Sequence, residues 1–407
     1  MLILSLIRVC YLKQERTETL STYLGTLLHF LKKAAVLFYN MSSPLQNTAA
    51  WLPTKQAKPF QIGPADVPAL KPREVLIKTH AVAINPADAG IQNLGLLWEK
   101  YPIIIGCDLA GEVVEVGDEV DASRNIRKGD RVLACVEKGA FQQYCAAAVE
   151  LVAKIPEHVS YAQASVLPAG LSTAAVSLFH EEGMRLELPS LEPKPNGQVI
   201  VVWGGSSSVG SCGIQMLVAA GYEVFATAGA KNAAYCEELG ATRVFDHKQE
   251  GVEEEIVEAV KGSGKRFGGI FSAIMTLDVM NTVVRLADKL GHDEQSRTVG
   301  TVVPPDMPVF PLPGLPSGVK LAFCRGPTAF VQESELAAML GWSKRPVSHI
   351  GRAVFEEWLT PALEAGLLKC KPEPQVVGGG LEKVQDACDM MSDGVSATKL
   401  VVVLEGK

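Results

Sequence analysis

Val199-Ile-Val-Val-Trp203 runs without a break into Gly204-Gly-Ser-Ser-Ser-Val-Gly210, and a helix-like stretch from Ile214 to Ala220 follows, with Gly221 behind it. A short, mostly β-branched apolar run predicts a strand buried on both faces, as helices bury it in a parallel sheet. The glycine- and serine-rich turn opens a helix that Gly221 stops. Strand, glycine turn and helix in that order begin a dinucleotide-binding βαβ unit. The free N–H groups of the first helical turn and the helix dipole favour a pyrophosphate there. Read as G-x-G-x-x-G, the stretch supplies Gly205 and Gly210, but Ser207 holds the middle position, where glycine normally lets the backbone approach the phosphates. The Ser207 hydroxyl is a candidate donor to that phosphate.

The chain beyond Gly221 alternates. Strands at 223–226, 243–245, 269–273 and 298–303 interleave with helices at 232–239, 252–261 and 277–290, which is βαβ repetition and implies a parallel sheet. A proline-rich loop spans 304–316, and 319–323 is a further strand candidate. Upstream, from Trp51 to Ala153, short strands punctuated by Gly and Asp predict a compact all-β, barrel-like unit; one candidate, Glu74–Ala83, ends at Ile84-Asn85-Pro86. Residues 162–179 are alanine-rich and helix-like. In the tail, helices at 353–365 and 381–391 precede a closing strand, Lys399–Leu404, expected to rejoin the first unit.

Several classes are excluded by bulk properties. A net charge of −7, with the basic residues scattered, argues against nucleic acid or an anionic membrane as the main partner. No uninterrupted apolar run approaches the roughly 18 residues of a transmembrane helix. The 9 cysteines form no C-x-x-C pair, which suits a reducing, cytoplasmic setting and no structural zinc. Residues 1–46 read as a disordered extension, with Met41-Ser-Ser-Pro as a conventional start for the first folded domain.

The choice of nicotinamide cofactor turns on the second strand. An NAD-specific unit carries Asp or Glu about 20 residues past the first glycine. Here the sequence is Ala226-Thr-Ala-Gly-Ala-Lys-Asn232, with no acid before Glu237. Lys231 stands where a 2′-phosphate needs a cation, and Thr227 and Asn232 can donate hydrogen bonds. NADPH is the expected cofactor.

Ala83-Ile-Asn-Pro-Ala-Asp88, Gly106-Cys-Asp-Leu-Ala-Gly-Glu-Val-Val-Glu-Val-Gly117, Lys128-Gly-Asp-Arg-Val132, Leu167-Pro-Ala-Gly-Leu-Ser-Thr-Ala174, the Gly204–Gly210 turn and Leu239-Gly-Ala-Thr-Arg-Val-Phe-Asp246 occur in this order. Together they resemble the medium-chain dehydrogenase/reductases over roughly residues 48–405, and most of all their zinc-independent fungal branch, which includes stand-alone enoyl reductases of polyketide pathways. The resemblance implies an α/β fold: a GroES-like β-barrel catalytic domain (47–175), a Rossmann doubly wound parallel-sheet domain (176–330), and a C-terminal part (331–407) rejoining the first. It places Asn85, Pro86 and Thr173 toward the nicotinamide half and Gly204, Gly205, Ser206, Ser207, Ser208, Val209 and Gly210 around the pyrophosphate. Lys231 and Asn232 fall at the 2′-phosphate. His247 stands where the family usually has Tyr beside the adenosine, and Gly229 where it usually has Ser.

The metal ligands of the family's zinc enzymes have no counterparts. Asn85 occupies the first-cysteine region, Cys107-Asp108 stand where His-Glu would be, and Leu167-Pro-Ala-Gly170 holds no third cysteine. Cys107 reads as a small buried residue and Asp88 as a brace for its loop. Without a Lewis acid, reduction of a carbon–carbon double bond conjugated to a carbonyl fits better than alcohol oxidation, because the carbonyl delocalises the developing charge. The expected activity is an NADPH-dependent enoyl or enone reductase in fungal secondary metabolism. Its small-molecule substrate is free or presented on a carrier protein, and the enzyme is a monomer or homodimer. A quinone or aldehyde reductase on the same scaffold, or a redox-inert NADPH-binding homologue, are the alternatives, and no proton donor is identified.

Overall fold

The structure, a computed structural model, describes residues 45–303, 314–323, 334–339 and 348–404. Most of the expected N-terminal extension (1–44) and of the proline-rich loop (304–313) lies outside the described residues.

The chain first builds β1 (Asn47–Leu52), β2 (Gln61–Ala65), β3 (Glu74–Ala83), α1 (Pro86–Leu94), β4 (Ile103–Ile104), β5 (Asp108–Val116), β6 (Arg131–Cys135), β7 (Tyr144–Ala148) and β8 (Val152–Lys154). α2 (Pro168–Phe179) then leads to the parallel region: β9 (Gln198–Trp203), α3 (Ser208–Ala219), β10 (Glu223–Ala228), α4 (Ala233–Glu238), β11 (Arg243–Asp246), α5 (Val252–Gly262), β12 (Arg266–Ser272), α6 (Leu277–Leu290), β13 (Thr298–Thr301) and β14 (Lys320–Phe323). The tail adds β15 (Glu373–Gly379), α7 (Lys383–Asp393) and β16 (Thr398–Val403).

β9 to β14 form one six-stranded sheet in the order β11-β10-β9-β12-β13-β14, parallel throughout. The order reverses between β9 and β12, and in such sheets ligands bind beyond the carboxyl ends of the strands at that reversal. β9 shows why a continuous apolar run was needed. Val199, Val201 and Trp203 pack into one core with Ile256 and Val283, while Ile200 and Val202 pack into the opposite core with Ile214 and Val224. The alternation of a strand puts successive side chains on opposite faces, and both faces here are covered by helices.

The other lobe is antiparallel for the most part. Its seven strands run β15-β16-β3-β5-β6-β8 with β7 also on β3, and a small sheet β2-β1-β4 lies beside them. β16 pairs antiparallel with the end of β3, Val401 opposite Ala83, so the last strand of the chain returns to the first lobe. The two lobes have the sheet organisation expected from the sequence, a largely antiparallel barrel-like lobe and a six-stranded parallel sheet.

Three local readings needed revision. The stretch 162–179 is not one helix but two, Tyr161–Ala164 and α2, because Pro168 lacks the N–H to continue the ladder and instead starts α2 at its first position. α1 was not expected. Its start is a Pro at the first helical position and an Asp88 carboxylate that accepts from Asn85 N at 2.8 Å. In the stretch read as helix 353–365, Arg352–Trp358 is a π-helix that passes into an α-helical turn, Leu359–Glu364. Tyr161–Phe179 is long and apolar enough to cross a membrane by composition, but 78 % of it is buried inside the protein, as a core segment is.

Candidate active site

The turn after β9 is shaped by backbone constraints. Gly204 has φ +81°, and a Cβ there would lie 2.4 Å from Ile274 Cγ1. At Gly210 a Cβ would lie 2.2 Å from Gly204 O, so α3 sits directly on the turn. Gly204 N donates to Thr227 Oγ1 at 3.1 Å and Gly205 N to Thr227 O at 2.8 Å, which ties the turn to the end of β10.

Ser207 is the N-cap of α3. Its hydroxyl accepts from Gly210 N at 3.0 Å and donates its single proton to Gly204 O at 2.8 Å. In this arrangement its single proton is engaged by Gly204 O. At the head of α3 the N–H groups of Ser208 and Val209 have no helical acceptor. Ser208 Oγ is also buried without a hydrogen-bond partner among the described residues.

A cavity of about 620 Å³ opens in front of this turn, a normal size for a ligand cleft. Gly204, Ser206, Ser207, Ser208, Thr227 and His247 wall it on the parallel-sheet side. Ile84, Pro86 and the run 394–399 wall it from the other lobe. His247 and Lys399 are the titratable residues of the wall, both bases; no carboxylate belongs to it among the described residues. The glycine turn, the free helical N–H groups and an acid-free cavity fit a nicotinamide dinucleotide.

The remaining expected residues are placed less directly. Lys231 is exposed on the turn Ala230–Asn232 and is not part of the cavity wall. Asn232 is buried, and its amide nitrogen donates to Ser396 Oγ at 2.9 Å and to Ser206 Oγ at 3.3 Å, joining the two lobes across the cleft. Thr173 is half-buried on α2 and is not part of the wall.

Asn85 belongs to a cluster that sequence reasoning did not assemble. Lys399, at the head of β16, is paired with Asp108 at 2.9 Å, and the two side chains are 2 % and 0 % exposed. Lys399 Nζ also donates to Asn85 Oδ1 at 2.5 Å, and Asn85 Nδ2 donates to Asp108 Oδ2 at 2.9 Å. The second oxygen of Asp108 accepts from Ala169 N at 2.6 Å, capping α2 from outside the helix. A lone lysine heading the apolar run Leu400-Val-Val-Val403 was the available signal. Nearby, the Cys107 thiol reaches Glu137 O at 3.6 Å, and burial with the Asp88 charge pushes its pKa well up. Cys107 is thus held as a thiol.

A zinc ion is not matched by these residues. The positions corresponding to metal ligands hold the Asn85 amide, the Cys107 thiol beside the ion-paired Asp108 carboxylate, and a backbone N–H, with the Lys399 ammonium among them. Among the described residues no three His, Cys, Asp or Glu side chains come together to hold a metal.

Two family models match the chain: the alcohol dehydrogenase GroES-like domain over residues 71–157 and the zinc-binding dehydrogenase domain over 208–304. The chain is similar to dehydrogenase orsE of Emericella nidulans, 36 % identical over 88 % of this chain and 99 % of that one. It is also similar to trans-enoyl reductase himH of Aspergillus japonicus, 35 % identical over 88 % of this chain and 97 % of that one. Among solved structures, an alcohol dehydrogenase superfamily protein from Novosphingobium aromaticivorans superposes with a TM-score of 0.68 at 23 % identity, covering 88 % of this chain and all (100 %) of that one, which shows the shared fold. Dehydrogenases of this family bind a nicotinamide cofactor on the parallel-sheet lobe, where the Gly204–Gly210 turn lies. The chain belongs to the medium-chain dehydrogenase/reductase superfamily, as an oxidoreductase of its fungal enoyl reductase branch.

Proposed function

We propose that the protein is an NADPH-dependent, zinc-independent reductase of a carbon–carbon double bond conjugated to a carbonyl, acting in fungal secondary metabolism. The observation that carries this reading is the buried set of Asn85, Asp108, Ala169 N and Lys399 at and beside the metal-ligand positions. Such a set has hydrogen-bonding capacity but no imidazole for zinc, and burial with the Asp88 charge favours the neutral thiol of the neighbouring Cys107. It suits a substrate whose own carbonyl spreads the developing charge. Full-length similarity to a trans-enoyl reductase supports the same chemistry.

Bound NADPH would supply the hydride. The protein's part is to hold and orient. The N–H groups of Ser208 and Val209 would hold its pyrophosphate, and Ser206 and Thr227, which wall the cavity, would meet its adenosine ribose. For the 2′-phosphate the support is the acid-free end of β10 together with Lys231 and His247, a set of cationic or neutral groups. The apolar wall, with Ile84, Ile274, Met391 and Val395, excludes water from the reacting end. The substrate is a small molecule, delivered free or as a thioester on a carrier protein.

Single-turnover oxidation of NADPH against enones, enoyl thioesters, quinones and aldehydes tests the reading. Turnover of conjugated alkenes is expected. Turnover confined to quinones or aldehydes overturns it, and tight NADPH binding with no turnover on any of them favours a redox-inert homologue.

A further inference from the structure

Three segments far apart in the chain, at Asn85, Asp108 and Ala169, close around one ammonium group supplied by a fourth, Lys399. The first three are where the family's zinc enzymes place their metal ligands. The fourth arrives only because β16 lies beside the end of β3. A positive charge is therefore built into the place that a metal would fill, and the chain carries it itself.

That charge is costly to keep. Lys399 and Asp108 are 2 % and 0 % exposed, and apolar side chains of similar volume stabilise such a site as well as a buried ion pair does. Packing alone does not account for it. Lys399 also walls the cavity, next to Ile84 and Pro86, which flank Asn85. An ammonium has three N–H groups. Asn85 Oδ1 and Asp108 Oδ2 engage two of them, and the third has no partner among the described residues, on a residue that borders the ligand space.

From this geometry we propose that Lys399 is a catalytic residue, the electrophile of the reaction, donating a hydrogen bond to the carbonyl oxygen of the substrate. The assignment rests on the reading of the protein as a conjugated-alkene reductase. A nicotinamide held at the Gly204–Gly210 turn would supply a hydride to the β-carbon; the π electrons would then move through the α-carbon onto the carbonyl oxygen, where the Lys399 ammonium stabilises the resulting enolate. The enolate then takes a proton from water at the α-carbon to give the saturated carbonyl product. Lys399 keeps its own proton throughout. Asp108 and Asn85 are positioning residues: Asp108, fixed by Ala169 N, holds the ammonium in place, and the Asn85 amide bridges the two.

S-crotonyl-N-acetylcysteamine serves as the turnover probe, and its saturated butyryl counterpart, labelled with ¹³C at the carbonyl, as the binding probe. Lys399→Met leaves Asp108 buried without its partner, so the double variant Lys399→Met/Asp108→Asn and the single variant Lys399→Arg are measured with it, each checked for folding by circular dichroism. Both Met variants are expected to lose about 10²–10³-fold in kcat, as when an oxyanion donor is removed. Lys399→Arg should retain more activity than either, and NADPH affinity by fluorescence should stay within about threefold. By infrared difference spectroscopy without cofactor, the butyryl carbonyl bound to the wild-type protein should be red-shifted, and that shift should vanish in the Met variants. A folded Met variant with wild-type kcat overturns the assignment, as does a wild-type carbonyl stretch that is unshifted. If the wild-type enzyme reduces no conjugated alkene but the Lys399-dependent red shift is present, the functional reading falls and Lys399 stands as the carbonyl-binding group.

Discussion

Asp88 and Asp108 share one cluster but have unlike partners. Asp108 has an ammonium, an amide and a helix N-terminus. Asp88, fully buried, accepts from Asn85 N through one oxygen, and its Oδ1 has no partner among the described residues. Burial, and then the neighbouring Asp108 charge, push Asp88 up to about 7. A carboxyl raised in the folded state stabilises the fold fully below its ordinary value of 3.8, and this contribution is lost as pH rises to about 7. Stability should therefore fall across that window from this group and level off above it, and Asp88→Asn should flatten the slope in denaturant titrations at stepped pH. An unchanged slope counts against a neutral Asp88. Lys231 is the opposite kind of residue, an exposed cation whose only expected partner is a ligand phosphate. Lys231→Ala should raise the Michaelis constant for NADPH about tenfold, the loss of one charge-assisted contact, and leave that for NADH nearly unchanged. Equal effects on both would refute the 2′-phosphate role. Lys231 stands out as a candidate because the absence of an acid at the end of β10 is a local fact of sequence. The Lys399 pairing was not legible in this way, since nothing near residue 399 announces a partner 314 positions away.

Among the elements, α3 shows how a departure from a fingerprint can be compensated locally. Ser207 replaces the middle glycine, and its hydroxyl caps the helix and clamps the turn. Ser207→Ala should cost about 1 kcal/mol and Ser207→Gly only a few tenths, measured as shifts in the denaturant midpoint. If Ala instead abolished NADPH binding while stability held, the hydroxyl would be a ligand contact. α6 was read from sequence at the bounds it has, since its amphipathic period lies within the segment and the Thr276 cap and Gly291 directly flank it. α1 and β15 were not. α1 is held to α7 by Gln92–Gln385 and Asn93–Ser392 hydrogen bonds, contacts absent from its local pattern. β15 is an exposed edge strand, Glu-Pro-Gln-Val-Val-Gly-Gly, whose pairing with β16 supplies what its composition lacks.

At the scale of the whole molecule, the cleft is closed by contacts between lobes as well as by the two sheets. Asn232 reaches Ser396, and Gln215 on α3 both donates to Lys369 O at 3.3 Å and accepts from Lys369 N at 2.7 Å. A cofactor bound in the cleft adds to these contacts in the folded state alone. NADPH at one hundred times its dissociation constant should stabilise the protein by about 2.7 kcal/mol, visible as a rise in melting temperature, with NADH at the same concentration giving less. Equal rises would argue against a 2′-phosphate preference. The alternation of buried strands and amphipathic helices and the glycine turn are properties of neighbouring residues, and from them, with the order of its motifs, the sequence by itself determined the parallel sheet and the superfamily. The tertiary structure alone decided what stands at the metal position, because the ion pair of Lys399 with Asp108, its bond to Asn85 and the cap on Ala169 form only when β16 closes against β3 and α2 turns its N-terminus toward β5. Periodicity and turn chemistry act over a few residues, whereas a buried charge finds its partner through the packing of the whole chain.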